Sequence, residues 1–257
     1  MTRIDSYEDL ADNIVGWLKD YYWMHNVKAF VVGVSGGIDS AVVSSLCART
    51  GLPTYVVCMP LESKFENTKL SDAHSRALVE KYDNVKRIEV ELFSAYDSLI
   101  KSIEWWSEAQ HFDKKEFTSS DHAKANTKSR MRMVTLYQIA GSVGGIVVGT
   151  GNKVEDYGVG FYTKYGDGGV DIAPIADLYK TEVWELGEYL EVDQRIVDAD
   201  PTDGLWIDSR SDEEQLGASY EELEEAMETG KGSGLEVLQK FNTQNKHKME
   251  PIPTFKL

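Results

Sequence analysis

The residues from 33 to 40, Gly33-Val34-Ser35-Gly36-Gly37-Ile38-Asp39-Ser40, carry the most chemistry for their length. They lie between a β-branched run and the start of a helical pattern. Adjacent glycines let backbone N–H groups close on a ligand, Ser35 and Ser40 add hydroxyl donors, and a helix N-terminus adds partial positive charge. Together these make a cradle for phosphate. The spacing is neither that of the G-x-x-x-x-G-K-[ST] loop nor that of the dinucleotide G-x-G-x-x-G, and the loop has no lysine. An acid inside a phosphate site needs a cation between the two charges, so Asp39 is expected to hold Mg²⁺ against phosphate oxygens. A capped strand-to-helix turn is the plainer alternative.

The elements that must present this loop alternate in type. Tyr7, Leu10, Ile14, Trp17, Leu18 and Tyr21 recur at helical spacing behind Ser6, which predicts a helix over 6–24. Residues 29–34 are too apolar to alternate, as expected of a central parallel strand covered on both faces. Strands are predicted over 54–59, 85–92 and 145–149, and helices over 41–49, 69–81, 95–106, 122–142, 179–190 and 220–227. Strands alternating with helices imply βαβ units with right-handed crossovers. The expected fold class is α/β: an open, doubly wound parallel sheet with helices on both faces, in a single domain over 1–257. Residues 107–121 break the pattern and read as a surface loop. Residues 158–171 hold five glycines in fourteen positions, too many for a regular element. A loop of that kind after a strand is where an open α/β sheet places its ligand.

Composition excludes several function classes. The 257 residues are 42% hydrophobic and 27% charged, enough for a sizeable core and unlike a disordered chain. The balance of 43 acidic against 27 basic residues gives −16, which argues against a nucleic-acid binder. Half of that excess falls within 208–229, expected to be a solvated loop and helix. Cys47 and Cys58 have neither disulfide-framework nor metal spacing and read as buried small hydrophobes in a reducing interior. No apolar run approaches the ~20 residues of a membrane helix, so a soluble, cytoplasmic protein with no membrane partner is expected.

Residues 35–40 match the SGGxDS signature of the ATP pyrophosphatase superfamily. Within it, three further segments resemble the NAD synthetase family in order and spacing: Asn126 to Arg132, Gly149 to Glu155, and Phe161 to Pro174 with its KYGDGG run. Lys180, Pro201-Thr202 and His247-Lys248 fall where that family has them. The resemblance covers about 6–255 and implies an adenine nucleotide alpha hydrolase-like fold. It implies ATP contacts at Gly33, Val34, Ser35, Gly36, Gly37, Ile38, Asp39, Ser40, Thr150, Lys180 and Thr202, and Mg²⁺ ligands at Asp39 and Glu155. Contacts to deamido-NAD are implied at Arg130, Lys164, Asp171, His247 and Lys248, with Asp167 orienting the amide-forming centre. Lys128 and Arg132 are equally readable as solvated, and 231–257, with five lysines and two acids, as a tail. Lys180 would supply the charge the first loop lacks, because a helix-start lysine is otherwise disfavoured by the helix dipole. Many family members have Asp at the position of Gly151, so this chain departs from the family there.

The activity implied is amidation of deamido-NAD by ammonia, driven by ATP through an acyl-adenylate, in a homodimer. The first strand near residue 29 leaves room for one helix before it and none for a glutaminase domain, so free or delivered ammonia is the expected nitrogen source. A tRNA-modifying enzyme would need a basic platform, and a GMP synthetase a distinct C-terminal region. A catalytically silent nucleotide-binding regulator would be free to lose Ser35, Asp39, Glu155 and Lys180, which are all present.

Overall fold

The computed structural model describes residues 3–62, 65–109, 120–202 and 211–256. Helix α1 (Tyr7–Met24) leads into β1 (Phe30–Gly33), followed by α2 (Ile38–Arg49), β2 (Thr54–Cys58), α3 (Phe65–Lys81), β3 (Val85–Glu89) and α4 (Phe93–Ala109). Then come α5 (Asp121–Val143), β4 (Ile146–Val148), a π-helix (Val154–Val159), α6 (Lys180–Tyr189), α7 (Gln194–Val197), α8 (Asp212–Leu216), α9 (Tyr220–Thr229) and α10 (Leu235–Met249).

The four strands form one parallel sheet in the order β3-β2-β1-β4. Phe30 pairs with Thr54 on one side of β1 and with Ile146 on the other. The chain therefore winds outward from β1 through β2 to β3, then returns to β4 on the opposite flank. That reversal opens a crevice beyond the carboxyl ends of β1 and β4, the place where such sheets bind ligands.

Each face of the sheet is covered, as its uninterrupted apolar strands require. On one face Phe30, Val32 and Val148 meet Leu18 of α1, Val42 and Leu46 of α2, and Leu186 of α6. On the other, Val31, Val57 and Val147 meet Leu92, Tyr96 of α4 and Ala140 of α5. The open, doubly wound reading is the observed architecture.

Two sequence expectations change. Helix α4 runs through 107–109, where a surface loop was expected; the rest of that segment up to 119 lies outside the described residues. Residues 203–210, which include the start of the acidic stretch, also lie outside them. The segment 231–257, for which a mere tail was the alternative reading, forms helix α10 over Leu235–Met249, whose Val237, Leu238 and Phe241 pack against Val154, Val159 and Tyr220. A short apolar stripe on a largely basic and polar helix was too weak to register as periodicity.

One buried group makes stability pH-dependent. His74 of α3 is 6% exposed, with Nε2 3.0 Å from the Ser44 hydroxyl of α2. Burial pushes its imidazole down to about 4, against a backbone hydrogen bond at Ala41 and the charge of Asp193. An unfolded chain takes up that proton near the ordinary value of 6.5. Between these values the unfolded state holds more protons, so acidification through the window favours unfolding. The urea midpoint is expected to fall from pH 7 to pH 4.5, and to fall less in His74→Gln; identical slopes for the two proteins would contradict this.

Candidate active site

The crevice holds a cavity of about 290 Å³, lined by the whole 33–40 loop, the ends of β2 and β4, and Asp39, Thr150, Glu155, Asp167, Lys180 and Thr202. The ATP-contact residues expected from the sequence thus converge on one space from four separate stretches of chain.

The first loop is fixed by its own side chains. Ser40 Oγ accepts from the Ser35 backbone N–H at 3.2 Å and donates to the Gly37 carbonyl at 2.9 Å, while Ser35 Oγ accepts from the Gly37 N–H at 3.2 Å. Gly36 has φ +94°, and a Cβ there would lie 2.4 Å from the Asn67 carbonyl oxygen, so only glycine allows this close passage against α3. Ile38 opens α2 behind Gly37, and the N-cap has no side-chain hydrogen bond. The turn is a helix N-terminus with donors facing a cavity, which favours the phosphate-cradle reading over that of a plain capped turn.

Lys180, the first residue of α6, reaches back across the cavity floor. Its Nζ lies 2.6 Å from Asp39 Oδ2 and 3.0 Å from Glu155 Oε1, with the lysine side chain 3% exposed and the carboxylates 18% and 17%. Burial opposes the lysine's charge, but Asp39 and then Glu155 outweigh it and hold its pKa above the usual lysine range. For Asp39, burial wins over Lys180 and its carboxyl titrates above the ordinary carboxylate value. For Glu155, burial is overcome by Lys180 and by hydrogen bonds from Asn152 and Tyr220, and its carboxyl titrates below the ordinary value.

Two residues that sequence reasoning missed hold this trio. Asn152 is fully buried; its Oδ1 accepts from the N–H groups of Val154 and Glu155 at 3.1 Å each, and its Nδ2 donates to Asp39 Oδ1 at 3.2 Å. It thereby starts the π-helix that presents Glu155 and ties it to the phosphate loop. A π-helical turn at a functional residue is a recurrent device. Tyr220 of α9 donates its hydroxyl to Glu155 Oε1 at 2.8 Å. The Asn152-x-x-Glu155 spacing resembles a helix cap and could have been read; nothing near Tyr220 distinguishes it among thirteen tyrosines.

The departure at Gly151 also has a physical reason. A Cβ on Gly151 would lie 2.2 Å from Asp156 Oδ2, so the carboxyl of Asp156 fills the space above it. Burial, then the charges of Glu155, Asp167 and Asp39, pushes this carboxyl up to about 8.

The glycine loop packs on α5. Asp167 Oδ1 accepts from the Ser129 hydroxyl at 2.6 Å and the Thr163 N–H at 3.0 Å, and burial raises its pKa against those bonds. Arg130, Lys164, Asp171, His247 and Lys248 do not line the cavity. Four of them knit α5, the glycine loop and α10 together: Arg130 Nε donates to the Lys164 carbonyl, Lys164 Nζ to the His247 carbonyl and Lys248 Nζ to the Tyr162 carbonyl, at 3.2, 2.9 and 2.7 Å. Asp171 accepts from the Val147 N–H at 2.7 Å and the Tyr137 hydroxyl at 3.0 Å, which anchors the loop to β4. Lys128 is buried rather than solvated, paired with Glu62 at 2.7 Å. Arg132 lines the cavity and donates to the carbonyls of Met59 and Leu61 at 3.4 Å each.

The NAD synthase family pattern matches residues 10–252. The chain belongs to the NAD synthase family. NH(3)-dependent NAD(+) synthetases of Carboxydothermus hydrogenoformans and Alkaliphilus metalliredigens are 34% and 36% identical to it, each over 95% of this chain and over 95% and 97% of their own lengths. The solved NMN synthetase of Francisella tularensis superposes with a TM-score of 0.86 at 31% identity, over 99% of this chain and 100% of that one. As a member of the NAD synthase family, the chain is a ligase of NAD biosynthesis.

The sequence resemblance implies magnesium, and Asp39 and Glu155 offer the oxygen donors that it would take. Asp39 and Glu155 place hard oxygen donors within reach of the same Lys180 ammonium, so a cation is already accommodated between them. Among the described residues no group of three or more acid, His or Cys side chains forms a cage. Two carboxylates, with phosphate oxygens and waters completing the set, are what Mg²⁺ ordinarily takes.

Proposed function

We propose that the chain joins ammonia to the nicotinate carboxyl of deamido-NAD at the expense of ATP, giving NAD, AMP and pyrophosphate. The observation that carries this is the Asp39–Lys180–Glu155 trio, set directly under a glycine-serine cradle.

A carboxylate resists direct amidation, since its carbonyl is unreactive and hydroxide leaves poorly. Its oxygen therefore attacks the α-phosphorus of ATP and expels pyrophosphate; ammonia then attacks the acyl carbon and expels AMP. Backbone donors and hydroxyls of 33–40 hold the departing pyrophosphate, and Lys180 supplies the positive charge that its leaving demands. Asp39 and Glu155 would hold magnesium, which when bound neutralises phosphate charge. Thr150 and Thr202 border the nucleotide from the β4 side and from the segment after α7. Asp167, pinned by Ser129, faces the same cavity and orients the carbon that receives ammonia. The cavity walls keep water from the acyl-adenylate. Lys164 and Asp171 within the glycine loop, and Arg130, His247 and Lys248 beside it, contact the deamido-NAD, and the hydrogen bonds they make hold that loop's shape.

A homodimer fits the exposed apolar side chains of α4, where Phe93, Leu99, Ile103 and Trp106 are 46%, 42%, 37% and 46% exposed. Among the described residues no helix is long and apolar enough to cross a membrane. A cytoplasmic location suits the two buried free thiols.

The match to the Francisella tularensis NMN synthetase favours a second acceptor, nicotinate mononucleotide, which carries the same carboxyl. Purified protein with ATP, Mg²⁺ and ammonium is expected to turn over deamido-NAD with stoichiometric AMP, and glutamine is not expected to replace ammonium. Faster turnover of the mononucleotide would shift the assignment to that acceptor. AMP formation with neither would overturn the proposal.

A further inference from the structure

We infer that Tyr220 is a positioning residue for this reaction: its hydroxyl orients Glu155 while its ring faces Lys180. The inference rests on the proposed function for its consequence and on independent geometry for its substance.

Tyr220 is 0% exposed and sits in a cluster with Val154, Val159, Tyr179, Leu216 and Leu223. A phenol buried among apolar neighbours needs a hydrogen-bond partner. Here the nearer partner is Glu155 Oε1 at 2.8 Å, the oxygen that also accepts from Lys180 Nζ at 3.0 Å; Asp212 Oδ2 lies 3.5 Å from the same hydroxyl. The ring centroid lies 5.1 Å from the same Nζ, close enough for its π face to favour the ammonium. One side chain thus touches both the carboxylate and the lysine.

The tyrosine is itself held rigidly. It is the first residue of α9, behind a capping box in which Ser219 and Glu222 exchange backbone-to-side-chain hydrogen bonds at 3.0 and 3.2 Å. Its own N–H donates to Glu213 at 3.0 Å, and Trp184 of α6 meets its ring edge-on with centroids 5.9 Å apart. Glu224, one turn along α9, accepts from the N–H and hydroxyl of Thr181, beside Lys180. Helix α9 therefore holds Glu155 from 65 residues away in sequence and the residue after Lys180 from 43. Outer partners of this kind set ligand orientation, and their loss ordinarily costs ~10–100-fold in metal affinity or activity.

The test is Tyr220→Phe, which keeps the ring and removes the donor. Calorimetry with a non-hydrolysable ATP analogue, titrated with Mg²⁺, is expected to show the Mg²⁺ requirement rising about tenfold. The kcat for amidation should fall by a similar factor, with KM for ammonium unchanged and the melting temperature of the metal-free protein near that of wild type. In a Glu155→Gln background the Phe change should add nothing to the Mg²⁺ requirement. A Phe variant that binds and turns over like wild type, that adds its full loss in the Glu155→Gln background, or that fails to fold despite an unchanged ring, overturns the inference. Wild-type protein that shows the Mg²⁺-dependent nucleotide binding but makes no amide would sink the proposed reaction and leave Tyr220's role standing.

Discussion

Lys180→Met is expected to lower kcat/KM by about a thousandfold, the scale on which removal of a preorganised charge at a leaving group is felt. It is also expected to destabilise the nucleotide-free protein by about 3–5 kcal/mol, the ordinary result of leaving buried charges without their partner. Both effects come from one contact set. The ammonium lies 2.6 Å from Asp39 and 3.0 Å from Glu155 in a site where the lysine is almost fully enclosed, and methionine would fill the volume without the charge. Steady-state kinetics and urea unfolding check the two halves separately. Turnover within tenfold of wild type would remove Lys180 from pyrophosphate departure, whatever the stability did.

Asp39→Asn should have a different signature: intact folding with AMP production down by about a hundredfold to a thousandfold. The amide has the shape of the carboxyl, and its oxygen can still accept from Asn152 Nδ2, which lies 3.2 Å from Asp39 Oδ1. Burial already disfavours charge on Asp39, so making the group neutral costs the fold little. What is lost is the negative charge that faces Lys180 and that would hold the metal. The comparison is AMP release with ATP and deamido-NAD, alongside a melting curve. Wild-type rates from a folded variant would show that Asp39 holds no metal.

These two residues also mark what could be read before folding. The cradle was legible because its chemistry is local: glycines, hydroxyls and an acid must be contiguous to wrap one phosphate. The parallel sheet was legible because strands covered on both faces leave unbroken apolar runs, and β1 to β4 fall within residues of their expected places. Glu155, Lys180 and Thr202 came from resemblance, and the union of Lys180 with Asp39 across 141 residues has no local signal at all. Asn152 and Tyr220 were passed over because their roles depend on what they meet in space. The buried state of Lys128 was hidden for the same reason, since its partner Glu62 belongs to the segment beyond β2. Of the five positions implied to contact the dinucleotide, four tie α5, the glycine loop and α10 together and Asp171 ties the loop to β4, an arrangement that depends on a helix whose own pattern was faint.

The close approach of Gly151 and Asp156 reaches beyond the site's present shape. Because the carboxyl of Asp156 already stands where the first carbon of any residue at 151 would be, the two positions are mutually exclusive occupants of a single berth. Neither can gain bulk alone. A side chain at 151 therefore requires the Asp156 carboxyl to vacate that berth first.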